Sequence, residues 1–217
     1  MTQSLHWIID PICGWSYGIL PLINAAQSKY PQLQQLHFGG LYIGDSRQPM
    51  DNSLRQRIVQ YDQHIHQLTG AKFGEVYKNE LLRKPAFVLD SYAATQTLVT
   101  AKQHLNIAQQ VKLLTQIQTA YYQRGVDITQ ISVLSDLIET SDLNIANNQW
   151  QAWLATVDNK QVSQEIMQAR ELMMSVHGQG FPTLVLEQTT QKQIKIDVSK
   201  YYGRPDEFAH YLDSQLN

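Results

Sequence analysis

The chain has 217 residues, of which 43% are hydrophobic and 17% charged, enough apolar material for a core of one or two domains. Seventeen Lys and Arg against nineteen Asp and Glu give a net charge of −2, so no basic excess exists to bind a nucleic-acid backbone. No apolar run reaches the ~18 residues of a membrane-spanning helix, and the N-terminus lacks the pattern of a secretory signal. We therefore expect a cytoplasmic protein that binds neither nucleic acid nor membrane.

The first fifty residues predict a strand, a helix and a second strand. Residues 5–9 form a short, β-rich apolar run of the kind that makes a buried strand. A helical pattern then extends to about Lys29, with Pro21 inside it as a potential kink. A second strand is expected over 36–43, where Gly39 and Gly40 indicate a bulge or a close approach of backbone.

From residue 53 onwards the pattern is helical. Apolar residues recur at helical spacing over six segments, separated by Gly, Pro or Asn: 53–68, 87–104, 108–124, 129–139, 148–157 and 161–176. This central block predicts no strand. A strand over 181–186, a polar turn, a partner strand over 193–198 and a closing helix over 206–216 follow.

This order, β-α-β and then α-β-β-α, is that of an α/β thioredoxin-like fold with a helical insertion between its two halves. We expect residues 1–50 and 160–217 to form the thioredoxin-like domain. Residues 51–159 then form the helical insertion domain, packed against it in one compact body.

Cys13 is the only cysteine, which excludes an intramolecular disulfide and a cysteine-rich metal site. It follows a predicted strand and begins a helix, where free N–H groups and the helix dipole favour a thiolate. Cysteines placed in this way have pKa values lowered from ~8.5. The position predicts a reactive nucleophile, and the alternative is an inert core thiol.

The sequence Cys-Gly-Trp-Ser places Ser16 three residues after Cys13. On a helix start, this spacing directs the Ser16 hydroxyl towards the sulfur. Ser16 could also cap the start of the helix, and the two roles are compatible. Because Ser16 carries no thiol, any mixed disulfide on Cys13 needs an external thiol to resolve it. We assign Cys13 and Ser16 to catalysis, and Gly14 and Trp15, next to the sulfur, to substrate binding.

Phe181 and Pro182 stand at the entrance to the next predicted strand. An X-Pro step in this position can be cis. A cis Pro182 would leave the backbone of Phe181 free to pair with an extended peptide or with glutathione beside Cys13, so both residues are assigned to substrate binding. The alternative is an ordinary proline that starts a strand.

Several segments together resemble a known family. They are Asp-Pro-Ile-Cys-Gly-Trp-Ser-Tyr-Gly at 10–18, Gly-Gly-Leu at 39–41, Tyr-Tyr-Gln-Arg-Gly-Val-Asp-Ile-Thr at 121–129, Gly-Phe-Pro-Thr-Leu-Val at 180–185, and Tyr-Gly at 202–203. The chain is similar to the DsbA-like branch of the thioredoxin superfamily, and within it to the FrnE-type dithiol–disulfide isomerases. The resemblance implies a thiol–disulfide oxidoreductase or isomerase, but Ser16 stands where that family has its second cysteine.

Three functions remain open. The first is thiol–disulfide exchange through Cys13 alone, with glutathione as co-substrate, a protein or small-molecule disulfide as partner, and no tightly bound cofactor. The second is a non-redox glutathione-dependent transferase or isomerase, in which Cys13 or Ser16 stabilises a glutathione thiolate, as resemblance to kappa-class glutathione transferases and 2-hydroxychromene-2-carboxylate isomerases suggests. The third is a non-catalytic binding module, and the chain could be a monomer or a homodimer.

Other polar residues are weaker candidates for the functional site. His64 and His66 are two residues apart on a predicted helix and face different directions, so no metal site is predicted. His177 fits the end of a helix, where it complements the dipole. Three arginines are candidates for holding glutathione carboxylates, and the sequence does not choose among them: Arg47, Arg55 and Arg204.

Overall fold

A computed structural model describes residues 3–216. Its strands are β1 (Ser4–Ile9), β2 (Gln34–Phe38), β3 (Gln48–Pro49), β4 (Val88–Leu89), β5 (Thr183–Glu187) and β6 (Gln193–Ile196). Its α-helices are α1 (Gly14–Gly18), α2 (Leu20–Lys29), α3 (Asn52–Thr69), α4 (Glu75–Asn79), α5 (Tyr92–His104), α6 (Ile107–Arg124), α7 (Ile131–Glu139), α8 (Asn147–Leu154), α9 (Asn159–Ser175) and α10 (Pro205–Leu216).

Four strands form the central sheet, in the order β2-β1-β5-β6. β1 pairs parallel with β2 and antiparallel with β5, so Trp7 lies between Leu36 and Leu184. β6 completes the sheet by pairing antiparallel with β5. Because β1 is an inner strand covered on both faces, every residue from Leu5 to Ile9 is buried, and all but His6 are apolar. The order β-α-β, helical block, α-β-β-α is the thioredoxin-like arrangement predicted from the sequence.

The predicted single helix reaching Lys29 is two helices. α1 ends at Gly18 and α2 begins at Leu20, with Ile19 between them. Pro21 lies in the first turn of α2, where its missing N–H leaves no intrahelical hydrogen bond unmade. Pro21 therefore belongs to the start of a new helix, and the predicted kink inside one helix was wrong.

β2 ends at Phe38, earlier than predicted. The N–H of Gly39 donates to the carbonyl of Ile9 (2.9 Å), and the chain then turns away at Gly40, whose φ is +62°. A Cβ on Gly39 would lie 2.0 Å from the Phe181 ring. Of the two predicted reasons for glycine here, the close approach is the one the structure shows.

The block between β2 and α9 is mainly helical, as predicted, but it also contains a small sheet. β3 and β4 pair antiparallel, with Gln48 opposite Leu89. Strands of two residues are too short to show an alternating pattern, and so the prediction of a helix from residue 87 was wrong, because α5 begins at Tyr92. The short helix α4 was not predicted either.

One hydrophobic core joins the sheet to the inserted helices. Trp7 and Phe38 from the sheet belong to the same buried cluster as Leu114 and Tyr121 from α6. This shared core gives the compact body that we expected. The division at residues 51 and 159 stays a prediction, because both parts contribute to one cluster. Within residues 3–216, no helix is both long and apolar enough to cross a membrane.

Candidate active site

Cys13 is the N-cap residue of α1, immediately after the turn that follows β1. Its N–H donates to the carbonyl of Asp10 (3.1 Å), and its own carbonyl accepts from the N–H of Tyr17 (3.0 Å). Cys13 as a whole is only 8% exposed, and its thiol donates to the carbonyl of Phe181, with Sγ 3.5 Å from the oxygen. The sulfur thus lies between the start of α1 and the Pro182 loop.

Burial raises the pKa of the Cys13 thiol to about 11. The charge of Asp10 adds to this increase, whereas hydrogen bonds from the N–H and hydroxyl of Ser16 and from the N–H of Trp15 act in the opposite direction. The sequence predicted a lowered pKa from the helix position alone. The expected donors are present, but loss of contact with water outweighs them because the thiol is covered.

Ser16 is fully buried, and its hydroxyl serves the site and not the helix cap. Its Oγ accepts a hydrogen bond from the N–H of Asp10 (3.2 Å), which leaves the hydroxyl proton free to donate towards Cys13. No side chain caps the start of α1. The expectation that Ser16 could also cap the helix was therefore wrong.

Asp10 is a site residue that we did not assign from the sequence. Its carboxylate is completely buried and accepts from the N–H groups of Ile12 (2.8 Å) and Leu41 (2.6 Å) and from the hydroxyl of Ser91 (3.1 Å). Burial raises the pKa of Asp10, and these three donors oppose the increase. The position of Asp10 immediately before Pro11 in the motif could have indicated it as a site residue. Its donors at Leu41 and Ser91, however, come from distant parts of the chain that only the fold brings to it.

The Phe181–Pro182 peptide bond is cis. The carbonyl of Phe181 accepts a hydrogen bond from the Cys13 thiol, so this carbonyl already has a partner in the structure. Beside the loop lies a groove of about 660 Å³. We call it the Pro182 groove; its lining includes Trp15, Gly180, Phe181, Pro182, Asp197 and Tyr202.

Trp15 separates the Pro182 groove from a smaller cavity at the sulfur. Its ring stacks on Tyr202 (centroids 5.3 Å apart) and meets the edge of His64 (5.7 Å). It lines both spaces, which places it next to the sulfur as predicted. A Cβ on Gly14, the preceding residue, would come within 2.9 Å of Ile65. Gly14 therefore allows α3 to pack closely against α1.

The cavity at the sulfur, of about 220 Å³, contains a second buried carboxyl group. It is bounded by Cys13, Trp15, Tyr42 and several apolar side chains, and Asp62 of α3 lies in its wall. The hydroxyl of Tyr77 donates to Asp62 (3.1 Å). Burial raises the pKa of Asp62 to about 7, against the opposing effects of that hydrogen bond and of Lys78. We missed Asp62 because nothing near it in sequence marks it.

The three arginines that were candidates for holding glutathione do not lie together in the structure. Arg47 pairs with Asp90 (2.8 Å), and Arg204 pairs with Glu207 (3.0 Å) and the carbonyl of Lys200. Arg55 lies elsewhere, in a cavity between α3 and α4. Among residues 3–216, no group of three or more His, Cys, Asp or Glu side chains is arranged to hold a metal ion.

Solved structures share this architecture over the whole chain. Cytosolic disulfide reductase DsbM from Pseudomonas aeruginosa is 31% identical, covers 98% of each chain and superposes with a TM-score of 0.88. DsbM with GSH gives 32% identity, 98% coverage of each chain and a TM-score of 0.85. A Nitrosomonas europaea protein, provisionally described as a protein disulfide isomerase, has 22% identity, a TM-score of 0.77, and coverage of 100% of this chain and 98% of its own.

No protein-family model matches the sequence, and no curated protein matches it. The fold and the position of Cys13 define a thioredoxin-like protein with the site between α1 and the Pro182 loop. With more than 30% identity over nearly the full length of DsbM, the chain belongs to the DsbA-like family and is a thiol–disulfide enzyme.

Proposed function

We propose that the protein catalyses thiol–disulfide exchange through Cys13 alone and uses glutathione as its co-substrate. The observation that carries the proposal is the position of the Cys13 sulfur, 3.5 Å from the Phe181 carbonyl and within reach of the Ser16 donors. Ser16 supplies a hydroxyl where a resolving thiol would be needed. The DsbM structure with GSH supports glutathione as the small thiol, and its description as cytosolic supports a cytoplasmic location.

The reaction has two exchange steps. The Cys13 thiolate attacks one sulfur of a disulfide, a Cys13–sulfur bond forms, and the second sulfur leaves with the electron pair as a thiolate. A glutathione thiolate then attacks the partner sulfur of that mixed disulfide and releases Cys13 as a thiolate. The N–H of Trp15 and the N–H and hydroxyl of Ser16 stabilise the charge on Cys13 in both steps.

The Pro182 groove is the proposed place for the substrate. Among the described residues, the N–H of Phe181 has no hydrogen-bond partner, so it is available to an extended backbone. Trp15 and Tyr202 line the groove, and Asp197 and Lys195 bring charges of opposite sign to its lining. Glutathione carries both carboxylates and an ammonium group, which complement such a pair of charges.

The test is the intact mass of the protein after exposure to glutathione disulfide. We expect one glutathione on the wild-type chain, removed by excess reduced glutathione, and none on Cys13→Ser. The rate should increase about tenfold for each pH unit between about pH 6 and pH 9, since the thiolate fraction limits attack and burial raises the pKa of Cys13 to about 11. A rate already constant from pH 6 would contradict this effect of burial.

Ser16→Cys tests the single-cysteine step. We expect its glutathione adduct to be transient and to give way to an internal disulfide, because residues 13 and 16 share one helical turn. The matched control is Ser53→Cys, an exposed second cysteine on α3 that should keep its glutathione. Reversible glutathione binding without an adduct would refute the exchange reaction and favour the non-redox transferase or isomerase. If glutathione neither binds nor forms an adduct, the non-catalytic binding module is the function that remains.

A further inference from the structure

A second large cavity lies away from the Pro182 groove. It has a volume of about 780 Å³ and opens between α3, the segment 72–75, α4 and the end of α6. We call it the basic cavity because its lining includes four Lys and Arg side chains: Arg55, Lys72, Lys78 and Arg83. Its volume is in the range of sites that bind small organic molecules.

Three of these four cations have no acidic partner. Among residues 3–216, no carboxylate lies within ion-pair distance of Arg55, Lys72 or Arg83. Lys78 is the exception, since it pairs with Glu75 (2.5 Å) and so neutralises one acid of the lining. The cavity therefore keeps an excess of positive charge, although the whole chain has a net charge of −2.

The remaining acid of the lining does not cancel that excess. Asp62 is buried at the inner wall, and its carboxyl accepts a hydrogen bond from Tyr77. Burial raises the pKa of Asp62 to about 7, so near neutral pH it carries only part of a negative charge. The lining also includes the apolar side chains of Val59 and Phe73.

We propose that the basic cavity binds a small organic anion with at least two carboxylate or phosphate groups, held by Arg55, Lys72 and Arg83. Two guanidinium groups can each make paired hydrogen bonds to a carboxylate or phosphate, and the lysine adds a point charge. Phe73 and Val59 contact the apolar part of the ligand. The basic cavity does not include Cys13, although Asp62 lines both this cavity and the one at the sulfur.

Isothermal titration at low ionic strength tests the proposal with two probes, citrate for carboxylates and inorganic pyrophosphate for phosphates. We expect at least one to bind, with about tenfold weaker affinity in Arg55→Ala and in Arg83→Ala, which corresponds to the loss of one charged hydrogen-bonding group. Which of the two binds identifies the anionic group. Binding should also weaken at an ionic strength of about 0.15 M, where the Debye length is ~8 Å.

The matched control is Arg57→Ala. Arg57 is an exposed arginine on the same helix, two residues from Arg55, and lies outside the lining of the cavity. The Arg57→Ala protein should bind each probe with the same affinity as the wild type. Lys72→Glu offers a second variant that reverses one charge at an exposed position. The proposal is overturned if neither probe binds, or if Arg57→Ala weakens binding as much as Arg55→Ala.

Discussion

Asp62 illustrates at the scale of one residue how burial alters chemistry. Its carboxyl is 4% exposed and has Tyr77 as its hydrogen-bond donor. Burial raises its pKa from 3.8 to about 7, so the folded protein holds a proton that the unfolded chain has lost. The free energy of unfolding therefore falls as the pH rises from about 4 to about 7, and the loss is complete above that range.

Asp62→Asn should remove this pH dependence. An amide keeps the shape and the acceptor for Tyr77 but does not ionise, so the variant should be more stable than the wild type above about pH 7. Each pKa unit corresponds to about 1.4 kcal/mol, which gives a gain of up to about 4 kcal/mol. Near pH 4 the two proteins should have equal stability. Urea unfolding across this pH range measures the difference.

The control is Asp136→Asn, which changes an exposed carboxylate on α7. Its stability should follow that of the wild type at every pH. If the Asp62→Asn protein is no more stable than the wild type at pH 8, ionisation of the buried carboxyl does not lower the free energy of unfolding as predicted.

At the scale of elements, the end of β2 determines where the Pro182 loop can lie. Gly39 continues the hydrogen bonding of β2 by donating to Ile9, and the ring of Phe181 covers its Cα. No other residue type would fit, because a Cβ would lie 2.0 Å from that ring. The loop beside Cys13 thus depends on a glycine about 140 residues earlier in the sequence.

Gly39→Ala should displace Phe181 and slow the reaction of Cys13 with glutathione disulfide. Overpacking of this kind costs about 1–3 kcal/mol of stability. Gly180→Ala is the matched control within the loop itself, since a Cβ there meets no atom within 4 Å. The urea midpoint should change for the first variant only. Equal effects would contradict the role of the close approach.

At the scale of the whole molecule, side chains of the helical insertion make hydrogen bonds to the active-site turn. Tyr122 of α6 donates to the carbonyl of Ile12 (2.6 Å), and Gln118 donates to the carbonyl of Pro11 (3.3 Å). Ser91, just before α5, donates to Asp10. The residues that precede Cys13 are therefore held by partners about 80 to 110 residues distant in sequence.

Tyr122→Phe should weaken the attachment of the active-site turn to α6, because it removes the hydrogen bond to Ile12. It leaves the buried carbonyl of Ile12 without its donor, which costs about 1–3 kcal/mol. We expect faster hydrogen exchange in residues 12–17 and a lower urea midpoint. Tyr61→Phe, which removes a hydroxyl from a side chain that is 63% exposed, should leave both unchanged. Unaltered exchange in Tyr122→Phe would mean that the turn does not depend on α6.

Much of the architecture could be predicted from local patterns. The long helices appear near their predicted positions because apolar residues repeat at helical spacing, and Asn106 and Asp158 cap α6 and α9. β1 and β5 were recognisable as short apolar runs. β3, β4 and α4 were not, because segments of two to five residues contain too little periodicity and form only against neighbours that the sequence does not identify.

The sequence by itself determined the single thiol at Cys13, its position at the start of a helix, and the hydroxyl at Ser16 in place of a second thiol. Each of these follows from composition and short-range spacing. Only the tertiary structure decided that the thiol is covered and its pKa raised, and that Asp10 and Asp62 are buried near it. Burial depends on residues far apart in the chain, and desolvation then outweighs the local effect of the helix start.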